Sequence, residues 1–338
     1  MTLQKRFKRV LVTGGAGYVG SVLVPQLLSQ GYEVVVYDTM YFGGDGLPKN
    51  PALTVIEGDI RDAAHVREAA NGCDAVIHMA CISNDPSFEL NEGLSKSINF
   101  DCFEDLVLAT KAAGAKRFIY ASSSSVYGVS DAPDVTEEHP LVPLTLYNKF
   151  KGMCEPILFK HQSTDFTCVA IRPATICGYG PRMRLDLSVN ILTAHAVMNR
   201  KITVFGGSQM RPNLHINDMA DVYSLLLEAP NDKIAGEIFN AGYQNLSIMQ
   251  IAQIAKQVVE SEFPNQGSVD IVTTPSDDLR SYHVNSDKIR RVLGYAPKRT
   301  VEDAIRDVCA AFKAGRLPNS MSDERYYNVR TMKNQKIA

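Results

Sequence analysis

The chain has 338 residues, 45% of them hydrophobic and 21% charged, with a formal net charge of -2. That length suits one large domain or one and a half with a sizeable core, and the near-neutral balance lacks the basic excess that bulk nucleic-acid or anionic-membrane binding needs. Seven cysteines, in no CxxC pair and no His/Cys cluster at metal-ligand spacing, read as reduced thiols of a cytoplasmic protein without a metal site.

The N-terminal MTLQKRFKRVLVTGG runs from basic residues into a short apolar stretch and then glycines, not a cleavage site, so RVLVT (9–13) is expected as a buried parallel strand. TGGAGYVG (13–20) follows, then a helix expected over 18–30 and stopped by Gly31. Further strands are expected at 33–38 (EVVVYD), 53–57, 75–78 and 117–121 (RFIYA), with helices over 62–70 and 91–113 between them. This alternation means βαβ units and a parallel sheet with helices on both faces. A helix over 146–161 and a strand at 166–171 continue the pattern. No apolar run approaches the roughly 18 residues of a membrane span.

After Arg172 the texture changes to RPATICGYGPRMR, rich in Gly, Pro and Arg, followed by helices near 186–198, 218–228, 247–260 and 300–313. The expected organisation is a dinucleotide-binding α/β domain over 1–172, completed by parts of 200–245. A smaller mixed α/β cap spans 173–199 and 246–320. The polar tail, 321–338, is expected to drape over the surface or fray.

Gly14, Gly17 and Gly20 are spaced by three between the first strand and first helix. They permit a tight turn, close approach of a pyrophosphate and close helix-to-strand packing, while the helix N-terminus offers N–H groups to the phosphates. Asp38 ends the next strand 18 residues after Gly20, where an acidic side chain can bond both ribose hydroxyls and repel a 2′-phosphate. NAD is therefore favoured over NADP, on a Rossmann-type, doubly wound sheet. Asp59, in EGDIRD, either meets the adenine or caps a helix.

YNKFK (147–151) poses a choice of lysines. On a helix a separation of four returns to nearly the same face, and a separation of two does not. Lys151 therefore accompanies Tyr147, and Lys149 faces elsewhere.

These motifs together, with HMA at 78–80, SSSSVYG at 122–128 and RxxxHxxD at 211–218, resemble the extended short-chain dehydrogenase/reductase family, in its nucleotide-sugar epimerase and dehydratase branch. The resemblance covers nearly the whole chain. It implies that Tyr147 is the general acid/base, Lys151 its partner and Ser123 the third member. A free phenol is a poor base at neutral pH, but a neighbouring ammonium and a positive nicotinamide ring favour the phenolate. By the same resemblance Gly14, Gly17, Tyr18, Val19, Asp38, Asp59, Ile60, Met79, Ala80, Asn99, Tyr147, Lys151 and Pro173 would contact the cofactor. Ser83, Ser124, Ser125, Thr175, Arg182, Arg184, Arg211 and Arg280 would contact a nucleotide-diphosphate sugar. Arginine suits a diphosphate because its planar fork engages phosphate bidentately.

Three departures from the family pattern matter. Ser124 and Ser125 stand where the 4,6-dehydratases carry an acidic residue for water elimination, which demotes that reaction. Thr175 replaces a usual Asn, and Pro212 replaces the usual Asp after the first cap arginine. Ser83, Asn84 and Asp85 are read either as sugar contacts or as an Asx turn with Pro86, and His78 as a core residue. The expected activity is NAD-dependent oxidation at C4 of a nucleotide sugar, as a 4-epimerase. The alternatives are a net 4-dehydrogenase or reductase, a dehydratase, or a non-catalytic NAD-binding scaffold. Family members pair through two long helices, so a homodimer is expected.

Overall fold

A computed structural model of the chain describes residues 5–130, 132, 134–276, 281 and 283–337. Arg280, expected at the diphosphate, lies outside the described residues.

Seven parallel strands form the central sheet: β1 (Arg9–Thr13), β2 (Glu33–Asp38), β3 (Leu53–Glu57), β4 (Ala75–His78), β5 (Arg117–Ala121), β6 (Thr167–Pro173) and β10 (Glu237–Ala241). Their spatial order is β10-β6-β5-β4-β1-β2-β3. The period-2 alternation of strands divides the core cleanly. Val10, Val12, Val34, Val36, Ile77, Ile119 and Val169 face α1 (Gly20–Ser29) and α8 (Ile216–Glu228). Leu11, Val35, Tyr37, Val76, Phe118, Tyr120 and Cys168 face α2 (Ala63–Ala69), α5 (Phe103–Ala112) and α6 (Leu146–Phe159). β1 pairs with both β2 and β4, so the chain reverses direction across the sheet between β1 and β4. A crevice opens at the carboxyl ends of strands at such a switch point.

β3 forms where a strand was expected and is the exposed edge of the sheet, with Val55 at 47% exposure. Two elements differ from the sequence expectation. The helix expected over 91–113 is broken into α4 (Glu92–Lys96), a π-turn (Ser97–Asp101) and α5. At the break, the Asn99 carbonyl accepts from Cys154 Sγ at 3.4 Å, and the Asn99 amide grips the backbone of Ile82. An extra residue per turn is tolerated where such tertiary bonds compensate. The tail also differs: a 3₁₀ turn (Glu324–Tyr326) and α13 (Asn328–Asn334) bury Tyr327, Asn328, Thr331 and Met332.

The cap holds two small sheets. β8 (Lys201–Phe205) pairs in parallel with β12 (Asp270–Thr274), and β9 (Met210–His215) lies between β7 (Thr175–Cys177) and β11 (Gln244–Ser247). Helices α7 (Ser188–Asn199), α10 (Ile248–Glu262) and α12 (Val301–Lys313) pack together through Val189, Ile251, Ala255 and Ile305. Of residues 200–245, only β10 joins the main sheet.

Two buried cations tie the main domain together. Arg117 on β5 is 0% exposed, and its guanidinium donates to the carbonyls of Leu226, Leu227 and Ala229 at 2.6, 2.6 and 2.9 Å. It thus caps the C-terminus of α8, where cations are favoured. Arg172 on β6 forms a bidentate pair with Glu155 on α6 at 2.7 and 2.9 Å. Ser122 Oγ donates to the same carboxylate at 2.6 Å.

Candidate active site

A cavity of about 620 Å³ opens at the switch point, between the main sheet and the cap. Its floor is the glycine turn. Gly14 has φ +73°, and a Cβ there would lie 2.7 Å from the Ala80 amide nitrogen. A Cβ on Gly20 would meet the Gly15 carbonyl oxygen at 2.3 Å, so the turn and the start of α1 admit no side chain at these positions. Gly17, Tyr18 and Val19 also line the cavity, and the Tyr18 hydroxyl donates to the Gly178 carbonyl at 2.5 Å, pinning cap to turn.

Asp38, at the end of β2, accepts from the Ala16 and Met40 amides, each at 3.0 Å. A carboxylate has about four acceptor sites, so capacity toward a ribose hydroxyl is left. Burial raises its pKa against these amide bonds. Asp59 and Ile60 lie on the same side. Asp59 holds Arg61 through paired contacts, which keep its carboxyl below the ordinary range despite burial. Asp59 caps no helix: Asp62 does that for α2, accepting from the His65 amide at 3.1 Å.

The wall after β4 is braced rather than free. Met79 and Ala80 line the cavity, whereas Asn99 does not. Its amide closes on Ile82 at 2.8 and 2.9 Å, which corrects its expected contact with the cofactor to a brace behind the wall. Asn84 sits at φ 71° and caps α3 (Asp85–Phe88) by accepting from the Ser87 amide at 3.0 Å. Asp85 accepts from Thr145 at 2.6 Å, at the start of α6. The Asx turn is therefore formed, and Ser83 remains facing the cavity.

Tyr147 and Lys151 both line the cavity from α6, while Lys149 is exposed on the other side of the helix. Tyr147 and Asn84 both line the cavity, and the Tyr147 ring lies 6.4 Å from Phe88, tilted against it. Burial, then the adjacent Cys81 and Asp85, hold this phenol well above its ordinary pKa, with Arg184 and the Asn84 amide acting the other way. The expected lowering by Lys151 is not in place here. Its ammonium donates to the Ala121 carbonyl at 2.7 Å and lies 5.2 Å over the Tyr120 ring. Ser123 lines the cavity but caps the turn over Ser124–Tyr127, sharing a 2.7 Å bond with Ser125. Ser125 in turn donates to Asn148 at 2.5 Å, and Ser124 is 1% exposed.

On the cap side lie Pro173, Thr175, Arg182, Arg184 and Arg211. Arg184 pairs with Asp186 at 2.8 Å and donates to Ser83 Oγ at 3.1 Å. Arg182 lines the cavity beside Arg184. Its backbone amide is held by Ser21 Oγ of α1 at 3.2 Å, and its guanidinium lies 4.2 Å from the Phe42 ring centroid, on the Asp38 side. Burial, then Arg184, pull its pKa down to about 9, opposed by Asp186 and Asp38. Sequence reasoning missed Asn328, which reaches this cluster from the tail. The one signal for it was the aromatic pair Tyr326–Tyr327 in an otherwise polar stretch.

Among the described residues, no group of three or more His, Cys, Asp or Glu side chains could hold a metal ion, and no helix is long and apolar enough to cross a membrane.

Comparison with known proteins adds to this geometry. Residues 10–242 match the model of the NAD dependent epimerase/dehydratase family. A UDP-glucose 4-epimerase of Lactobacillus helveticus is 29% identical over 327 residues, covering 88% of this chain and 94% of that protein. UDP-glucuronic acid decarboxylase 1 of Xenopus tropicalis is 25% identical, over 92% of this chain and 73% of its own length. The solved structure of DesIV, a dTDP-glucose 4,6-dehydratase of Streptomyces venezuelae with NAD and TYD bound, superposes with a TM-score of 0.79 at 25% identity, covering 91% of this chain and 98% of its own.

Proposed function

Because the chain belongs to the NAD-dependent epimerase/dehydratase family of enzymes, we propose that it oxidises C4 of a nucleotide-diphosphate sugar with bound NAD and then reduces it again, as a nucleotide-sugar 4-epimerase. The observation that supports this most is one cavity lined by the glycine turn, Asp38, Tyr147, Lys151 and the cap arginines. The side-chain-free cradle at Gly14 and the part-satisfied Asp38 carboxylate fit a dinucleotide pyrophosphate and ribose.

When bound, NAD supplies the hydride acceptor and a positive ring beside the phenol. The chain's own residues do the rest. Tyr147 takes the proton from the C4 hydroxyl and later returns it, and Lys151 stabilises the phenolate once its ammonium faces the phenol. The Asn84 amide, on the same cavity wall, acts in favour of the anionic form. Arg211 engages the diphosphate. Ser124 and Ser125 offer no carboxylate to protonate a leaving hydroxyl, which favours epimerisation over dehydration. A relative is a UDP-glucuronic acid decarboxylase, and a net C4 dehydrogenase uses the same groups, so the product must be measured.

The test is mass spectrometry of the enzyme with UDP-, dTDP-, GDP- and CDP-sugars in deuterated water. An epimerase gives a second isomer, separated from the substrate by chromatography, of unchanged mass, without solvent deuterium and without net NADH. Loss of water or of carbon dioxide would replace this reading by dehydration or decarboxylation.

The second part of the proposal is a homodimer through α5 and α6. Leu108 and Met153 on these helices, and Val142 and Leu144 just before α6, are 45%, 39%, 56% and 50% exposed. Apolar residues grouped this way are characteristic of an interaction face, and light scattering of the purified chain measures it directly.

A further inference from the structure

The tail enters the site at one residue. The Leu185 amide donates to the Tyr326 carbonyl at 2.9 Å, and the Asn328 amide N–H donates to Asp186 Oδ2 at 3.0 Å. Asn328 is 2% exposed yet lines the cavity. The orientation of its side chain follows from chemistry. Arg182 has only donors, so the Asn328 oxygen faces it, at 2.5 Å. The Asn328 side-chain nitrogen is then left to donate to Ser83 Oγ, at 3.1 Å.

Ser83 Oγ also accepts from Arg184, at 3.1 Å. A hydroxyl has two lone pairs and one proton. Both lone pairs are occupied, so the oxygen can act outward only as a donor. No hydrogen bond from that hydroxyl to an acceptor occurs among the described residues, and Ser83 lines the cavity. Asn84, which follows it, and Tyr147 line the same cavity.

We propose that Asn328 is a positioning residue of the sugar site: with Arg184 it holds the Ser83 hydroxyl as a fixed donor to an oxygen acceptor on the bound sugar, beside Tyr147. The inference deepens the nucleotide-sugar reading above and rests on it. It makes the C-terminal helix part of substrate recognition, where a polar tail would be expected to add only surface.

Asn328→Asp separates this role from a structural one. A carboxylate cannot donate to Ser83, so the hydroxyl proton turns toward it and away from the ligand. The same carboxylate strengthens the contact with Arg182, so a residue that merely anchored the tail would keep or improve its function. Calorimetry on the NAD-loaded protein would give dissociation constants for UDP-, dTDP-, GDP- and CDP-glucose, each beside its free nucleoside diphosphate. For the glucose conjugate that binds tightest, Asn328→Asp is expected to weaken binding about 3- to 10-fold, the value of one hydrogen bond. Binding of the matching diphosphate should be unchanged. Ser83→Ala should cause the same loss, and the double variant no more than either single one, because both act through one hydroxyl. Asn328→Ala, which frees one lone pair of Ser83, carries the same expectation if the Asp variant fails to fold. Parent-like affinity in these variants overturns the proposal, as does an equal loss for the free diphosphate. If the parent binds no glucose conjugate better than its diphosphate, the nucleotide-sugar reading falls and this inference with it.

Discussion

The Glu155–Arg172 pair allows a quantitative test of how the catalytic helix is held. Glu155 lies four residues after Lys151 and eight after Tyr147, so all three share one face of α6. Both side chains of the pair are only 3% exposed, and the bond is bidentate. Replacing Glu155 by Met strands a desolvated guanidinium, left only with the Tyr127 hydroxyl and the Glu137 carbonyl as partners. Breaking such a pair costs about 3–5 kcal/mol. At roughly 2 °C per kcal/mol for a chain of this size, Tm should fall by roughly 6–10 °C. Arg172→Met should cost a similar amount. The double variant removes both charges and fills much of the space, so it should recover at least half of the summed loss, a coupling on the order of 3 kcal/mol. Differential scanning calorimetry of all four chains is the assay. A drop under about 2 °C for Glu155→Met, or a double variant equal to the sum of the singles, would refute the claim that this charge pair clamps the helix to the sheet.

Tyr147→Phe should leave NAD bound and lower turnover by about two orders of magnitude or more; near-normal turnover removes Tyr147 from the mechanism. Asp38→Ala should weaken NAD while reducing discrimination against NADP by at least about tenfold, the free-energy equivalent of one good hydrogen bond; fluorescence titration with both cofactors decides it. His78 is buried against Thr13, 2.7 Å away, and burial, then Lys151, push its pKa down to about 3. Below the unfolded value of about 6.5 only the unfolded chain takes up that proton, so stability falls as pH falls, by about 2 kcal/mol at pH 5. His78→Gln should lose correspondingly less between pH 6.5 and pH 5 in urea titrations, and equal losses would contradict a neutral buried imidazole.

The sequence was most informative where local rules and tertiary structure agree. Val10, Val12, Val34 and Val36 alternate with Leu11 and Val35 between the two core clusters, so periodicity alone locates β1 and β2. Glycine spacing located the turn because no side chain fits there, and helical geometry chose Lys151 over Lys149. The misses share a different cause. The π-turn at 97–101 depends on Asn99 gripping Ile82, seventeen residues away in the chain, and no local pattern encodes that. Asn328 was missed because its partners, Arg182, Ser83 and Asp186, come from two distant loops. Side-chain roles that require three separated segments to converge leave little trace in any one of them.

The guanidinium of Arg117 has a bearing on how the chain is made. β5 is synthesised early, but the carbonyls that satisfy its cation belong to residues 226–229, more than a hundred positions later. Until those residues have left the ribosome, tucking β5 between its neighbours means carrying an uncompensated charge into the apolar interior. The first half of the protein should therefore wait, loosely assembled, for α8 to arrive. A fragment truncated at residue 172 is accordingly expected to be protease-sensitive where the whole chain resists, and timed digestion of the two would measure that difference.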